Sequence, residues 1–266
     1  MNDQSRNSSR GAEAHRPRVL VLTPVKDAAA YLEGWTSLLE RLSWPKERLA
    51  IGVLESDSRD GTPDALERLR PRLEARAHRV SLAKRDFGFV LPPGVPRWAP
   101  SVQLARRAAL ARSRNHLLFS ALRDDDFVLW IDVDIVDYPV DVLERLIAAD
   151  KPLVQAHCVL EPGGPTFDRN AWADRGKVQI EDLRGRPAPV RIDSVGGCML
   201  LVAADLHRDG LVFPAFRYGV RNDAIRDPHP LWGLGEIETE GLAMMARDMG
   251  QQCWCLPDLE VIHART

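Results

Sequence analysis

No stretch of this sequence is apolar enough to cross a bilayer. The longest apolar runs, Phe127–Ile131 and Cys198–Ala204, fall far short of the ~20 residues that a spanning helix needs. Residues 1–16 are polar, rich in Ser, Asn and Arg, and lack the apolar stretch of a secretory signal, so a disordered tail is expected there. A dominant charge is also missing. The 36 Lys and Arg against 38 Asp and Glu leave a formal net charge of -2, which excludes bulk affinity for nucleic acid or an acidic membrane. Cysteine is sparse: Cys158, Cys198, Cys253 and Cys255 match no zinc spacing. Reduced, mostly buried thiols are expected, in a cytoplasmic protein with at most peripheral contact at the inner face of the membrane. There is no internal repeat, low-complexity core or interdomain linker.

What is present reads as one ordinary globular unit. Hydrophobic residues make up 45% and charged residues 28% of the 266 residues, and residues 17–266 are expected to form a single domain. Arg18–Leu22, Leu49–Leu54 and Arg79–Ala83 read as strands, each short and rich in branched residues. Helical spacing separates them: Tyr31, Leu32, Trp35, Leu38, Leu39 and Leu42, then Leu66, Leu69 and Leu73. Thr62-Pro63 reads as an N-cap before an N1 proline, and Ser101 as the cap of a helix from Val102 to about Leu122. Phe127–Asp132 is a further strand, Pro139 opens a helix, and Pro152–Ala156 is again a strand. Beyond it, Cys158–Pro189 and Leu211–Leu234 are irregular and suit acceptor contacts. Val190–Val195, Met199–Ala203, Cys253–Leu256 and Leu259–Ile262 read as strands, and Glu238–Gly250 as a helix. Strand–helix alternation predicts an α/β fold with a parallel sheet covered on both faces.

Four features carry chemistry. Leu129-Trp130-Ile131 delivers Asp132 and Asp134 at the carboxyl end of a buried strand, where open parallel sheets bind ligands. Two carboxylates there suit Mg2+ or Mn2+ on a diphosphate. Glu55-Ser56-Asp57-Ser58, followed by Asp60-Gly61-Thr62, forms a strand-to-helix turn able to accept bonds from a nucleobase or ribose, or simply to cap the next helix. Arg112-Ser113-Arg114-Asn115, preceded by Arg106 and Arg107, offers guanidinium forks for phosphate, or a solvated helix face. Glu238 and Glu240 open the last helix, and His263 ends the last strand, where it is a candidate third metal ligand. Trp98, Trp172 and Trp232 fall in irregular segments and suit either sugar stacking or loop packing.

The ordered set resembles the GT-A glycosyltransferases, and more closely the fungal-type α-mannosyltransferases of glycosyltransferase family 62, the mannan polymerase group. The likeness rests on Thr23-Pro24-Val25-Lys26-Asp27-Ala28-Ala29, Leu54-Glu55-Ser56-Asp57-Ser58, Ala111-Arg112-Ser113-Arg114-Asn115, Val128 to Ile135, Glu238-Thr239-Glu240-Gly241, Leu256-Pro257 and His263. It spans residues 18–264. It implies a GT-A type, Rossmann-like nucleotide-binding fold: a central, mostly parallel sheet flanked by helices, with an irregular C-terminal acceptor portion. It also implies GDP-mannose as nucleotide-sugar donor, Mn2+, retention of configuration, and a glycan, glycolipid or small glycoside as acceptor. Pro24, Glu55 and Asp57 would meet the nucleotide, and Arg114 and Asn115 the diphosphate or sugar. Asp132 would lie near ribose and metal, Asp134 and His263 on the metal, and Glu238 or Glu240 near the transferred sugar. Members of the fungal type carry a membrane anchor and work in the Golgi, whereas no integral membrane segment is found here. Three other readings fit parts of the pattern: a UDP-sugar donor, a haloacid dehalogenase-type phosphatase built on Asp132 and Asp134, and a non-catalytic sugar-binding scaffold.

Overall fold

The computed structural model describes residues 16–220 and 234–265. Strands β1 (Val19–Val25), β2 (Leu49–Glu55) and β3 (Arg79–Lys84) are joined by helices α1 (Ala29–Arg41) and α2 (Thr62–Arg76), and α3 (Pro100–Ala121) leads into β4 (Phe127–Ile131). β3 pairs with β2, β2 with β1 and β1 with β4, all in parallel. Parallel neighbours need crossover helices, and these cover both faces of the sheet. Accordingly β2 is buried at every position and β1 at every position but Pro24. Side chains still alternate between two cores. Val19, Val21 and Val25 pack with Leu32, Trp35 and Leu39 of α1, while Leu20 and Leu22 pack with Leu117 and Leu118 of α3. At Gly52 a Cβ would stand 2.6 Å from Leu22 Cδ2 and 3.1 Å from Ala121 Cβ, so α3 crosses β2 where only glycine clears it.

The second half adds β5 (Ile135–Asp137), α4 (Val142–Ala148) and β6 (Leu153–Val159), then the short pair β7 (Trp172–Ala173) and β8 (Val178–Gln179). β9 (Val190–Ile192), β10 (Met199–Ala203), α5 (Ala204–Arg208), β11 (Tyr218–Val220), β12 (Leu234–Glu236), α6 (Glu238–Asp248) and β13 (Cys253–His263) complete it. The main sheet runs β3-β2-β1-β4-β10-β6-β13-β5, with β9 added beside β13. β10 is antiparallel to β4 and β6, and β6 and β13 are parallel. This is the mostly parallel, helix-flanked GT-A type sheet that the sequence predicts.

Local details differ from the reading of the sequence. α3 starts at Pro100 with Ala99 as its N-cap, so Ser101 lies inside the first turn and caps nothing. α2 starts at Thr62 itself. The Thr62 hydroxyl accepts the Ala28 N–H at 2.7 Å instead, tying two helix starts together. The two terminal strands are one, β13, whose pairing with β6 shifts register between Leu256 and Glu260. The strand expected over Val190–Val195 is shorter, β9. β5 had no sequence signal, because its three residues are held by pairing with distant β13. All four thiols are buried and free. Among the described residues, no helix is long and apolar enough to cross a membrane.

Candidate active site

The end of β4 is locked from three sides. The Thr23 hydroxyl donates to the Ile131 carbonyl at 2.8 Å. The Asp132 N–H donates to the Cys198 carbonyl at 3.0 Å, and the Ala264 N–H to the Asp134 carbonyl at 2.8 Å. β4 ends at Ile131, and Ile135 N–H turns back to the Asp132 carbonyl at 3.3 Å. Asp132 and Asp134 therefore sit on a tight turn, not on the continuing strand whose alternation would align them.

The two carboxylates face different partners. Asp134 Oδ1 lies 3.1 Å from His263 Nε2, and Asp134 Oδ2 lies 3.9 Å from Arg97 Nη1. Burial alone would raise the Asp134 pKa, yet the bond and charge of His263 hold it below the usual value. His263 is buried against Phe167, its ring 4.0 Å away. Burial opposes protonation of His263, but the bond to Asp134 and its charge win and raise the pKa. Asp132 Oδ1 accepts from Arg114 Nη2 at 3.1 Å. Burial pushes Asp132 up to about 7; Arg114 opposes the rise, and repulsion from Asp134 and Asp168 adds to it. Among the described residues, no three His, Cys, Asp or Glu side chains form a ready metal cage. Asp134, His263 and nearby Asp132 offer two hard carboxylates and one borderline imidazole. That set fits Mn2+ or Mg2+ completed by diphosphate and water oxygens.

The ends of β1 and β2 build the other end of the site. Ser56 N–H donates to the Val25 carbonyl at 3.1 Å, and Lys26 Nζ to the Asp57 carbonyl. Asp57 takes a left-handed conformation, φ 55. Its carboxylate accepts the N–H groups of Phe87 and Gly88, each at 3.0 Å. Glu55 is buried and accepts from Lys84 and from Ser58 N–H at 2.9 Å. It shapes the turn and does not line the cleft.

A cleft of about 640 Å³ joins these ends. Its lining includes Pro24, Lys26, Asp57, Asp132 and Asp134 at or after the strand ends, Phe89, Leu91, Arg97 and Trp98 before α3, and Arg106 and Ser113 of α3. Among the described residues Arg106 has no hydrogen-bond or ion-pair partner. Burial, then the charge of Arg97, keeps its pKa below the usual arginine value. Such a guanidinium is ready for an anion.

The structure puts several expected donor residues behind the cleft. Arg114 is 2% exposed, and its Nε lies 3.2 Å from Glu238 Oε1. Its guanidinium stacks 5.6 Å from the Trp130 ring and 5.1 Å from the Phe213 ring. A Cβ on Gly197 would meet its Nη2 at 2.4 Å. Arg114 thus orients Asp132 and does not line the cleft. Asn115, expected at the donor, is committed to backbone. Its Nδ2 donates to the Phe213 carbonyl at 2.7 Å, and its Oδ1 accepts the Phe213 N–H at 2.9 Å. Glu238 is 3% exposed with φ 62, and accepts from the Thr239 hydroxyl at 2.9 Å. Glu240 accepts from Arg107 Nη1 at 2.8 Å and Trp172 Nε1 at 3.3 Å. Ion pairing between α3 and α6 claims Arg114, Glu238 and Glu240, and the Phe213 backbone claims Asn115. Trp172 is buried, and Trp232 lies outside the described residues.

Sequence reasoning passed over Asp168 and Phe167. Asp168 accepts the Gly197 N–H at 2.7 Å and the Asn170 N–H at 3.2 Å. A Cβ on Gly196 would overlap its Oδ2, at 2.0 Å. The only local signal was Gly196-Gly197, where backbone needs room for a side chain from elsewhere.

A family model described as Anp1 matches residues 1–185. Mannan polymerase complex subunit MNN9 of Candida albicans is 28% identical over 302 residues, covering 96% of this chain and 77% of that protein. The mnn9 subunit of Schizosaccharomyces pombe is 29% identical, covering 94% and 80%. Among solved structures, the mannosyltransferase PcManGT from Pyrobaculum calidifontis, in complex with GDP-Man and Mn2+, superposes with a TM-score of 0.58 at 20% identity. That match covers 95% of this chain and 58% of that one. S. aureus TarS with UDP gives 0.55 at 15%, covering 94% and 61%. At such identities the likeness to these structures is one of fold. Family and fold together set aside the phosphatase reading. The family match takes in more than half of the sequence, and the chain belongs to the Anp1 family of GT-A glycosyltransferases.

Proposed function

We propose that the chain transfers mannose from GDP-mannose to a glycan, glycolipid or small glycoside, with retention and with a divalent cation. The observation that carries this is a cleft that runs from Pro24 and Asp57 to the carboxylates of Asp132 and Asp134 and includes Arg106, which has no ion-pair partner among the described residues. The donor reading draws further on the mannan polymerase relatives and on the neighbour solved with GDP-Man and Mn2+.

Asp134 and His263, with Asp132 beside them, would hold the cation, which supplies charge neutralisation at the diphosphate. Arg106 stabilises negative charge on the departing nucleoside diphosphate, a kind of interaction worth ~3–4 kcal/mol when preorganised. Arg114 is a positioning residue: it fixes the Asp132 carboxylate through the bond at 3.1 Å. Glu238, the carboxylate a double displacement would use, is engaged with Arg114 and Thr239. That favours attack on the leaving-group face, with the acceptor proton passing to a diphosphate oxygen.

Calorimetry of GDP-mannose, GDP, UDP-glucose and UDP, with and without Mn2+, tests the reading. Metal-dependent binding of the guanosine ligands supports it. Preference for UDP ligands keeps a glycosyltransferase and removes the mannose donor. Silence toward all four favours a non-catalytic scaffold.

A further inference from the structure

The C–H face of a pyranose ring is apolar while its hydroxyls seek polar partners, so sugars settle where an aromatic face adjoins charged groups. Trp98 is 74% exposed, yet it borders the cleft that holds Asp132 and Asp134. Its backbone is pinned on both sides. Ala99 N–H donates to the Pro96 carbonyl at 2.9 Å, Gln103 of α3 donates to the Arg97 carbonyl, and α3 begins at Pro100. The exposed indole therefore stands on a held turn.

Its place along the cleft follows from its neighbours. The segment enters at Phe87 and Gly88, both tied to Asp57 at the nucleotide end. It leaves at Arg97, which lies 3.9 Å from Asp134 at the carboxylate end. A donor lying from Asp57 to Asp134 presents its sugar at the Trp98 end, and the acceptor must enter there. Trp98 shares the cleft with Arg97, Arg106 and Asp134, which suit hydroxyls, and with the apolar side chains of Leu91 and Pro96, which suit a ring's C–H face.

We propose that Trp98 is the platform on which the acceptor's terminal pyranose ring stacks, next to the transferred sugar. The proposal rests on the donor reading for its direction along the cleft.

Protein labelled with 5-fluorotryptophan tests it, with the Trp98 fluorine resonance identified by its loss in Trp98→Phe. The titrants are methyl α-D-mannopyranoside, methyl β-D-glucopyranoside and 1-hexanol, each with and without GDP and Mg2+. The Trp98 resonance is expected to move saturably with a pyranoside, more tightly once GDP and Mg2+ are present, and little with GDP alone. Trp98→Ala should weaken pyranoside binding, read by saturation transfer, by roughly tenfold, the upper range for one aromatic contact. GDP affinity should not change. No movement with either pyranoside overturns the proposal. So does movement by GDP alone, which makes Trp98 a donor contact, or an equal response to hexanol, which makes it a general apolar contact. If GDP fails to bind while a pyranoside still moves the resonance, the donor reading falls and the platform stands.

Discussion

The cleft-facing side of the site and the side behind it are built by different means. Asp57, Asp132 and Asp134 sit on turns that follow β2 and β4, and Pro24 is the next-to-last residue of β1. Their backbone is held by neighbouring strand ends, and their side chains border the cleft, that of Asp57 while accepting the Phe87 and Gly88 N–H groups. The supporting side is a buried ion network in which Arg107 and Arg114 of α3 meet Glu238 and Glu240 of α6. Its partners are more than a hundred residues apart in the chain. On the proposed function the first side meets ligand, and the second fixes where the first stands. Substitutions on the two sides should therefore fail differently.

The largest effect is expected on the ligand-facing side. Asp134→Ala should lower kcat by about 10³-fold, near the ~4 kcal/mol ascribed to a well-placed electrostatic group, with the thermal midpoint lowered only by the loss of its bond to His263. GDP-mannose turnover and thermal unfolding read the two quantities. Normal turnover would remove the proposed chemistry. Arg114→Met should chiefly lower stability, because Asp132 loses its hydrogen bond and Glu238 its nearer cation, keeping only Arg107 at 3.8 Å. A loss of about 3 kcal/mol or more in unfolding free energy is expected from urea titration. Should stability hold while donor affinity collapses, Arg114 belongs to the ligand-facing side and the contrast is wrong.

This contrast also explains what could be read from sequence. β1 to β4 and their helices are periodic, and the turns after them carry their polar residues within the same short motifs. Asp57, Asp132 and Asp134 were therefore legible, as was the parallel sheet. Arg114 and Asn115 were legible as residues but not in role. A helical run with two arginines and an asparagine says nothing of which one meets Phe213, Trp130 or Glu238 across a core. Arg106 was seen as one charge among several; that it has no ion-pair partner among the described residues emerges only in three dimensions. Asp168 and β5 depend on distant pairing and left no periodic trace.

The supporting side holds a second buried polar group, and it tests the contrast by pH. Trp130 Nε1 donates to His207 Nε2 at 3.2 Å, so Nδ1 carries the proton and donates to the Leu211 carbonyl at 2.7 Å. Burial pushes His207 down to about 4 from 6.5, outweighing that carbonyl. The folded-state pKa is depressed, so the unfolded chain takes up the proton first. Stability from this group is whole above about pH 6.5 and falls as pH drops toward 4, by up to about 3 kcal/mol. His207→Gln should flatten the difference in urea midpoint between pH 7 and pH 4.5. Equal acid sensitivity in variant and parent would show that His207 is not the group responsible.

The smallest effect probes how the network is transmitted to the ligand-facing side. A Cβ at Gly197 would lie 2.4 Å from Arg114 Nη2 and 3.1 Å from its Cζ. An arginine on the surface would swing away, but this one is held by Asp132, Glu238 and two rings. Gly197→Ala should cost about 1–3 kcal/mol, the usual range for overpacking, and weaken donor binding through a displaced Asp132. In the Arg114→Met background the obstructing guanidinium is gone, so the same substitution should cost much less. A double-mutant cycle measures that difference. Equal costs in both backgrounds would place the strain in the Gly196-Gly197 backbone itself. Asp132 would then be held by its N–H to the Cys198 carbonyl and not by the arginine behind it.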